Sequence, residues 1–420
     1  MPASFQIPRP AERMLPVEEA QRLVLEEVEI LGLEKVVFTE ALGRILREDV
    51  RATYDLPQAD NTAMDGYAVR SADVGKATER APAKLEVIED LPAGSVAIKS
   101  LVEGTAIRIM TGAPIPDGAD AVVPVELTDA GDSEVSIHKG VKAAENIRRR
   151  GEDMRAGEIV LRSGLLLRAA EVGVLASVQK GLVAVGRRPT VAILSTGDEI
   201  VDVDGQLQPG KVINSNSYSL AALVSEAGAI PRMLGIVRDT KAATIDALES
   251  ALQSDFIISS GGVSVGAYDF VKDALDAMGA ETRFWQVAMK PGKPIVVSRL
   301  RSRLFFGLPG NPVSCMVSVH LFVAPALRKA MGQTGSLLPP IVTTVIGSGL
   351  KSRGDRRHYT RVRVFVKDGQ LHSLPMSAQG SGVSTSMVRA NGLAIVEAGV
   401  TAVGQGSEVP TVLIGPIDAE

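Results

Sequence analysis

The chain has one cysteine, Cys315, in 420 residues. That excludes an internal disulfide and any cysteine-rich zinc or iron–sulfur site. Cys315 itself reads as buried packing just inside a helix. The four histidines, His138, His320, His358 and His372, show no ligand spacing. An essential metal should therefore be a hard cation held by oxygens, with Mg2+ the default. There is no uninterrupted apolar run of about 20 residues, and the start, MPASFQIPRPAERMLPVEEA, has no stretch of signal-peptide length, so neither insertion nor export is expected. Positive charge is not in excess either. A net charge of -4 and a pI near 5.8 give no global reason to bind nucleic acid. A cytoplasmic protein acting on small molecules is the expectation.

Hydrophobic residues make up 45% and charged residues 22%, the composition of a folded protein. The length suits roughly three domains at about 100–200 residues each. After Pro16, Val17, Ala20, Val24, Val28 and Leu31 recur at helical steps. The runs LEVIED, TAIRIM, DAVVPVE and EVSIHKG, separated by Gly, Pro and Asp turns, predict a small β-rich domain. AAEVGVLAS then reads as helix, which makes the β-rich piece an insertion. From Arg187-Arg188-Pro189 onward, strands and helices alternate through VAILS, SYSLAALVSEAG, PRMLGIV, KAATIDALESAL and DFIIS. That pattern predicts a mostly parallel, doubly covered sheet. Pro339-Pro340 mark a linker, and YTRVRVFV and EVPTVLI belong to a second β-rich piece. The expected domains are 1–55 plus 146–186 (helical and linking), 56–145 (inserted β-rich), 187–334 (α/β) and 338–420 (β).

Ligands of parallel α/β sheets bind outside the carboxyl ends of the strands. Four loops fall there. Ser195-Thr196-Gly197-Asp198-Glu199 either coordinates a cation or caps the next helix, and Asp239 after Arg238 has the same two readings. Ser259-Ser260-Gly261-Gly262-Val263-Ser264-Val265-Gly266, followed by Tyr268-Asp269, is a tight turn or an anion cradle. Leu308-Pro309-Gly310-Asn311-Pro312 places Asn311 at an N-cap and Pro312 in a first helical turn. Lys290-Pro291-Gly292-Lys293-Pro294 holds two cations on stiff backbone, either solvated or ligand-facing. Outside this domain, Asp60 and Asp65, Arg108 and Thr111, and Arg148 to Asp153 offer carboxylates and anion donors, each weak alone.

Together these blocks resemble the molybdopterin molybdenumtransferase family, the MoeA-type enzymes to which the carboxy-terminal domain of gephyrin is related. The resemblance runs through DNTAMDGYAVR, RIMTGAP, NIRRRGED, STGDE, SSGGVSVG, MKPGKP and GLPGNPVS, in family order over nearly the whole chain. It implies a multidomain α/β fold with a central MogA-like doubly wound domain, a β-rich insert, an N-terminal helical, elongated domain and a C-terminal β-barrel-like domain. It further implies Mg2+-dependent insertion of molybdate into adenylylated molybdopterin with release of AMP. A homodimer with a shared cleft is implied too, with the adenylylating enzyme and molybdoenzyme acceptors as possible partners. By motif position the catalytic residues are Asp60, Asp153, Glu199, Asp239, Asp269 and Lys290, with Glu199, Asp239 and Asp269 on the metal. Substrate contacts fall to Thr111, Arg148, Ser260, Gly261, Gly262, Lys293, Pro309, Gly310, Asn311, Pro312, Arg361 and Ser381. Gln286 stands where many relatives carry lysine. A pterin-holding scaffold and a nucleotide hydrolase on the same architecture are the competing readings.

Overall fold

A computed structural model describes residues 14–262 and 270–419, which pack as two compact units. The first holds the segment up to Glu48, Ser163–Arg168 and everything from Leu182 onward; the second holds Asp49–Arg162 and Ala169–Gly181.

The first unit is built on a seven-stranded sheet. Four parallel strands, Ile230–Val237, Thr190–Thr196, Phe256–Ser260 and Arg303–Leu308, lie side by side in that order. Pro294–Leu300 returns antiparallel, and Glu281–Val287 and then Met14–Leu15 complete the sheet. The central strands are buried along almost their whole length, as in the FIISS run of Phe256–Ser260. That is the form a sheet takes when helices cover both faces. Ser215–Glu226 and Lys241–Ala251 begin where polar caps permit: Asn214 and Thr240 each accept a backbone N–H from the first turn. The edge strand Ile230–Val237 carries Pro231 and a register shift at Leu234, the residue skipped between the pairs Ile193–Met233 and Leu194–Gly235.

The N-terminal helix Val17–Glu27 has its apolar stripe in this same core. Val17, Ala20 and Val24 pack in one cluster with Ile193, Phe306 and Leu327, because the helical spacing gives one continuous apolar face. The apolar segment Pro312–Ala330 runs as helix, a wide π turn at Val319–Val323, and helix again. Its 19-residue length would suffice to cross a membrane, but 78% of its most apolar window is buried in the protein. Five strands, Ile341–Ile346, Arg357–Lys367, Gln370–Pro375, Gly392–Val396 and Glu408–Leu413, close into a barrel by pairing Arg357–Lys367 with both Gln370–Pro375 and Gly392–Val396. Its wall carries a buried hydroxyl chain in which Thr344 meets Ser373 at 2.8 Å and Thr411 at 2.9 Å.

The second unit is a five-stranded sheet ordered Ala121–Pro124, Gly66–Val69, Thr105–Ile109, Ala83–Leu91 and Glu134–Ile137. Successive residues point to opposite faces, and both faces are packed: Tyr67 and Val69 sit on one, Ala68 on the other.

The α/β sheet is pinned at its amino-terminal end by Asp255. Its carboxylate accepts two bonds from Arg187 (2.9 and 2.7 Å) and two from Thr190 (2.8 Å from N–H, 2.9 Å from the hydroxyl). Burial pushes this carboxyl up, but the bonds from Arg187 and Thr190 outweigh it and hold the group below the usual carboxylate range. A depressed folded pKa means that the stabilisation is complete above the unfolded value of about 3.9 and is lost as pH falls towards the lower folded one. Asp255→Asn should therefore cost about 2 kcal/mol at neutral pH. The gap to the parent should close as the solution is acidified below that value. Urea unfolding followed by the single tryptophan, Trp285 in Glu281–Val287, measures both.

Candidate functional site

The four parallel strands end on one edge, and a cleft of about 740 Å³ opens there. Its lining includes Thr196, Gly197 and Glu199, then Asn214 and Asn216, then Asp239, then Ser260, Gly261 and Gly262, and finally Pro309, Gly310, Asn311 and Pro312. All four strand-end loops singled out in the sequence contribute to it.

Glu199 and Asp239 stand on its acidic side. Asp198 and Asp239 exchange backbone-to-carboxylate bonds of 3.2 Å in both directions, which ties the first two loops together. Glu199 folds back over Gly197, whose φ is +148°; a Cβ there would meet the carboxylate at 2.7 Å. A side chain there would displace the Glu199 carboxylate, and the positive φ itself favours glycine. Burial pushes the Asp239 carboxyl above its usual range, and the charges of Asp198 and Glu199 push it further, against one backbone bond from Asp198. A cation would relieve that imbalance. Among the described residues no group of three or more His, Cys, Asp or Glu side chains is gathered to hold a metal. Asp269 lies outside the described residues. The donors fit Mg2+, which takes one or two carboxylates and completes its shell with water and substrate phosphates.

The glycine loop beside the acidic side is tightly packed against its neighbours. At Gly262 (φ +66°) a Cβ would meet both Thr196 Oγ1 and Val271 Cγ2 at 2.6 Å. The Gly261 N–H is committed to the Leu308 carbonyl at 3.0 Å. This donor joins the third loop to the fourth. Asn311 precedes the helix but makes no side-chain cap; the Val313 N–H is satisfied by the Ser381 carbonyl at 3.1 Å. Ser381 thus meets the helix start through its backbone.

Lys290 is half-buried and pairs in register with His358, whereas Lys293 is exposed. Arg361 is fully buried. Its Nη2 donates to the carbonyls of Ala378 and Gly380 at 3.2 Å each, and its Nε and Nη1 have no partner among the described residues. Burial holds its pKa below the usual arginine value. His358 is pushed down to about 4, first by burial and then by the charges of Lys290 and Arg361, so near neutral pH it adds no charge to this basic corner.

The remaining sequence candidates lie in the second unit. Asp60 accepts the Arg150 N–H at 2.8 Å and pairs with Arg149, while Thr111 donates both its N–H and its hydroxyl to Asp65 at 2.6 Å. Arg148 and Asp153 line a separate recess with Asn61, Leu56 and Pro57. Sequence reasoning missed Asn216, whose Nδ2 reaches both Ser260 Oγ and the Gly310 carbonyl at 2.8 Å. The available signal was an asparagine inside the first turn of Ser215–Glu226, where its helix propensity is poor.

Fold and cleft define an α/β protein with a ligand cleft at the carboxyl edge of its parallel strands. Residues 192–329 match the family described as "Probable molybdopterin binding domain", 15–179 match "MoeA N-terminal region (domain I and II)" and 343–414 match "MoeA C-terminal region (domain IV)". Among curated proteins, the chain is 40% identical over 375 residues to a molybdopterin molybdenumtransferase of Nostoc sp., covering 88% of this chain and 86% of the relative. It is 35% identical to that of Bacillus subtilis, covering 95% and 94%. The moeA protein of Pyrococcus horikoshii superposes with a TM-score of 0.81 at 29% identity, covering 96% of this chain and all of the other. The chain belongs to the MoeA family of molybdopterin molybdenumtransferases.

The acidic side of the cleft is open to direct titration. Glu199→Gln and Asp198→Asn should each lower the Asp239 pKa by removing a neighbouring negative charge, and added Mg2+ should lower it in the parent protein. Carboxyl-carbon NMR reads all three, and an Asp239 titration indifferent to both substitutions would show that the acids do not share a field.

Proposed function

We propose that this chain inserts molybdate into adenylylated molybdopterin in the strand-end cleft, with release of AMP. The observation that carries the proposal is the pairing of Glu199 and Asp239 with the Ser260-Gly261-Gly262 and Pro309-Gly310-Asn311 loops at the carboxyl edge of one parallel sheet. Mg2+ bound by Glu199 and Asp239, with Asp269 as a third candidate, would supply neutralisation of the charge that develops on the leaving phosphate. The rest falls to the chain. The packed loops would hold the pterin and its phosphates against the acidic side, so that the reacting groups meet in a fixed geometry.

Molybdate, an oxyanion, requires donors of its own. Arg361 supports that role, because a buried guanidinium with two nitrogens unpartnered among the described residues is costly unless an anion completes it. Lys290 and Ser381 complete this donor set, with Lys293 and the Arg148 segment as further phosphate or oxyanion contacts. In the second unit, Asp60, Thr111 and Asp153 are assigned to the same reaction by motif position. We further propose a homodimer. The ribbon Leu33–Val37 with Leu182–Gly186 exposes Leu33, Val37 and Leu182, flanked by exposed Leu42 and Leu166, and Val37 stands directly opposite Leu182. Such a patch suits a second copy.

Incubation with adenylylated molybdopterin, molybdate and Mg2+ should release AMP, and Asp239→Asn should lower that rate by about 100-fold or more while leaving the melting temperature within a few degrees. Pterin binding without AMP release would favour a scaffold, and ATP turnover without pterin a hydrolase. Arg361→Gln should raise the molybdate concentration for half-maximal rate by about tenfold or more, consistent with loss of one charge-assisted bond. An unchanged molybdate dependence would remove Arg361 from the oxyanion site.

A further inference from the structure

Asn216 sits in the first turn of Ser215–Glu226, and its carboxamide reaches two other loops. Nδ2 donates to Ser260 Oγ at 2.8 Å and to the Gly310 carbonyl at 2.8 Å. A backbone carbonyl only accepts, so the amide nitrogen must face Gly310, and chemistry fixes the orientation of the group. The two amide protons are both spent, one on each loop. Oδ1 is buried and without a partner among the described residues, so the side chain is held through its nitrogen alone.

The two loops it joins come from different strands. Ser260 closes Phe256–Ser260 and leads into Gly261 and Gly262, while Gly310 lies between Arg303–Leu308 and the helix starting at Pro312. One backbone bond, from Gly261 N–H to Leu308 carbonyl, also links them, at the sheet end of the loops. The Asn216 contacts lie on residues that line the cleft.

We infer that Asn216 is a positioning residue of this cleft: it clamps the Ser260-Gly261-Gly262 loop to the Pro309-Gly310-Asn311 loop and so fixes the surface the two loops jointly present to the bound substrate. The inference rests on the reading of the cleft as the substrate site. Few side chains can replace it. Serine offers one proton, aspartate offers none at neutral pH, and alanine offers neither bond. Loss of the clamp lets the loops part without removing any group that touches the reacting atoms. The effect should then appear in kcat more than in KM, because alignment is what fails.

The test compares parent, Asn216→Ala and Asn216→Asp, with Asn216→Ser in reserve should alanine fail to fold. Two readouts are needed: AMP release from adenylylated molybdopterin across pH, and amide hydrogen exchange of peptides spanning 256–262 and 303–311. The alanine variant should lose about 10- to 100-fold in kcat, with KM moving by less than about threefold. Exchange should quicken in those two peptides and stay unchanged in the barrel. The aspartate variant should regain activity relative to the parent as pH falls, because a protonated carboxyl recovers one donor. Parent-like kcat and exchange in Asn216→Ala would overturn the clamp. So would a rise in KM alone with exchange unchanged, which would make Asn216 a ligand contact, and so would faster exchange throughout the unit with no recovery in acid, which would make it a general stabiliser. If the parent releases no AMP, the proposed reaction fails, and the exchange comparison by itself decides the clamp.

Discussion

Everything in the larger unit follows from burying a parallel sheet on both faces. Strands such as Thr190–Thr196 and Phe256–Ser260 expose almost no side chain along their length, so their own residues are unavailable for chemistry except where the backbone leaves the sheet. Parallel pairing then puts four such exits on one edge. Polar groups that would be costly anywhere else in the core collect there: Ser195 with Asn214 at 3.0 Å, Asp198 with Asp239, Asn216 with Gly310. The cleft is the place where the covered sheet has to stop.

The sequence made much of this legible, because helical and strand periodicity are local. Val17, Ala20 and Val24 announce a helix, VAILS and DFIIS announce covered strands, and YTRVRVFV announces a strand, whose clean alternation does not show that most of it is buried on both faces. Which face of which domain an element covers is a question of tertiary packing. The apolar stripe of Val17–Glu27 gives no hint that it packs beside Phe306 and Leu327. The site was legible to the same depth. Its loops could be named from their places after strands, but not which donors the fold would consume internally. The Gly261 N–H is used by Leu308 and the Val313 N–H by Ser381, whereas Asn216, hidden in a helical run, turns out to bridge two loops. Asp269 falls outside the described residues.

Charge is distributed in two contrasting ways. On the acidic side Asp239 lies beside Asp198 and Glu199, and burial first, then their two charges, raises its pKa. In the basic corner Lys290 and Arg361 gather around His358; burial lowers the pKa of both His358 and Arg361, and the two cations lower that of His358 further. Each cluster is an energetic liability alone and has the sign that a ligand of opposite charge would correct. By contrast Asp255 and Arg187 are mutually satisfied, and theirs is the pair that serves stability.

The edge strand Ile230–Val237 bears on how the protein behaves in a crowded solution. An open parallel sheet ends in a row of unpaired main-chain groups, an invitation to fibrillar assembly. Here Pro231 withholds one N–H, Arg232 brings a charge, and the extra residue at Leu234 kinks the strand out of register. The barrel meets the same hazard by closure, leaving no edge among its five strands. The irregularities of that outer strand thus make it a poor template for a further strand.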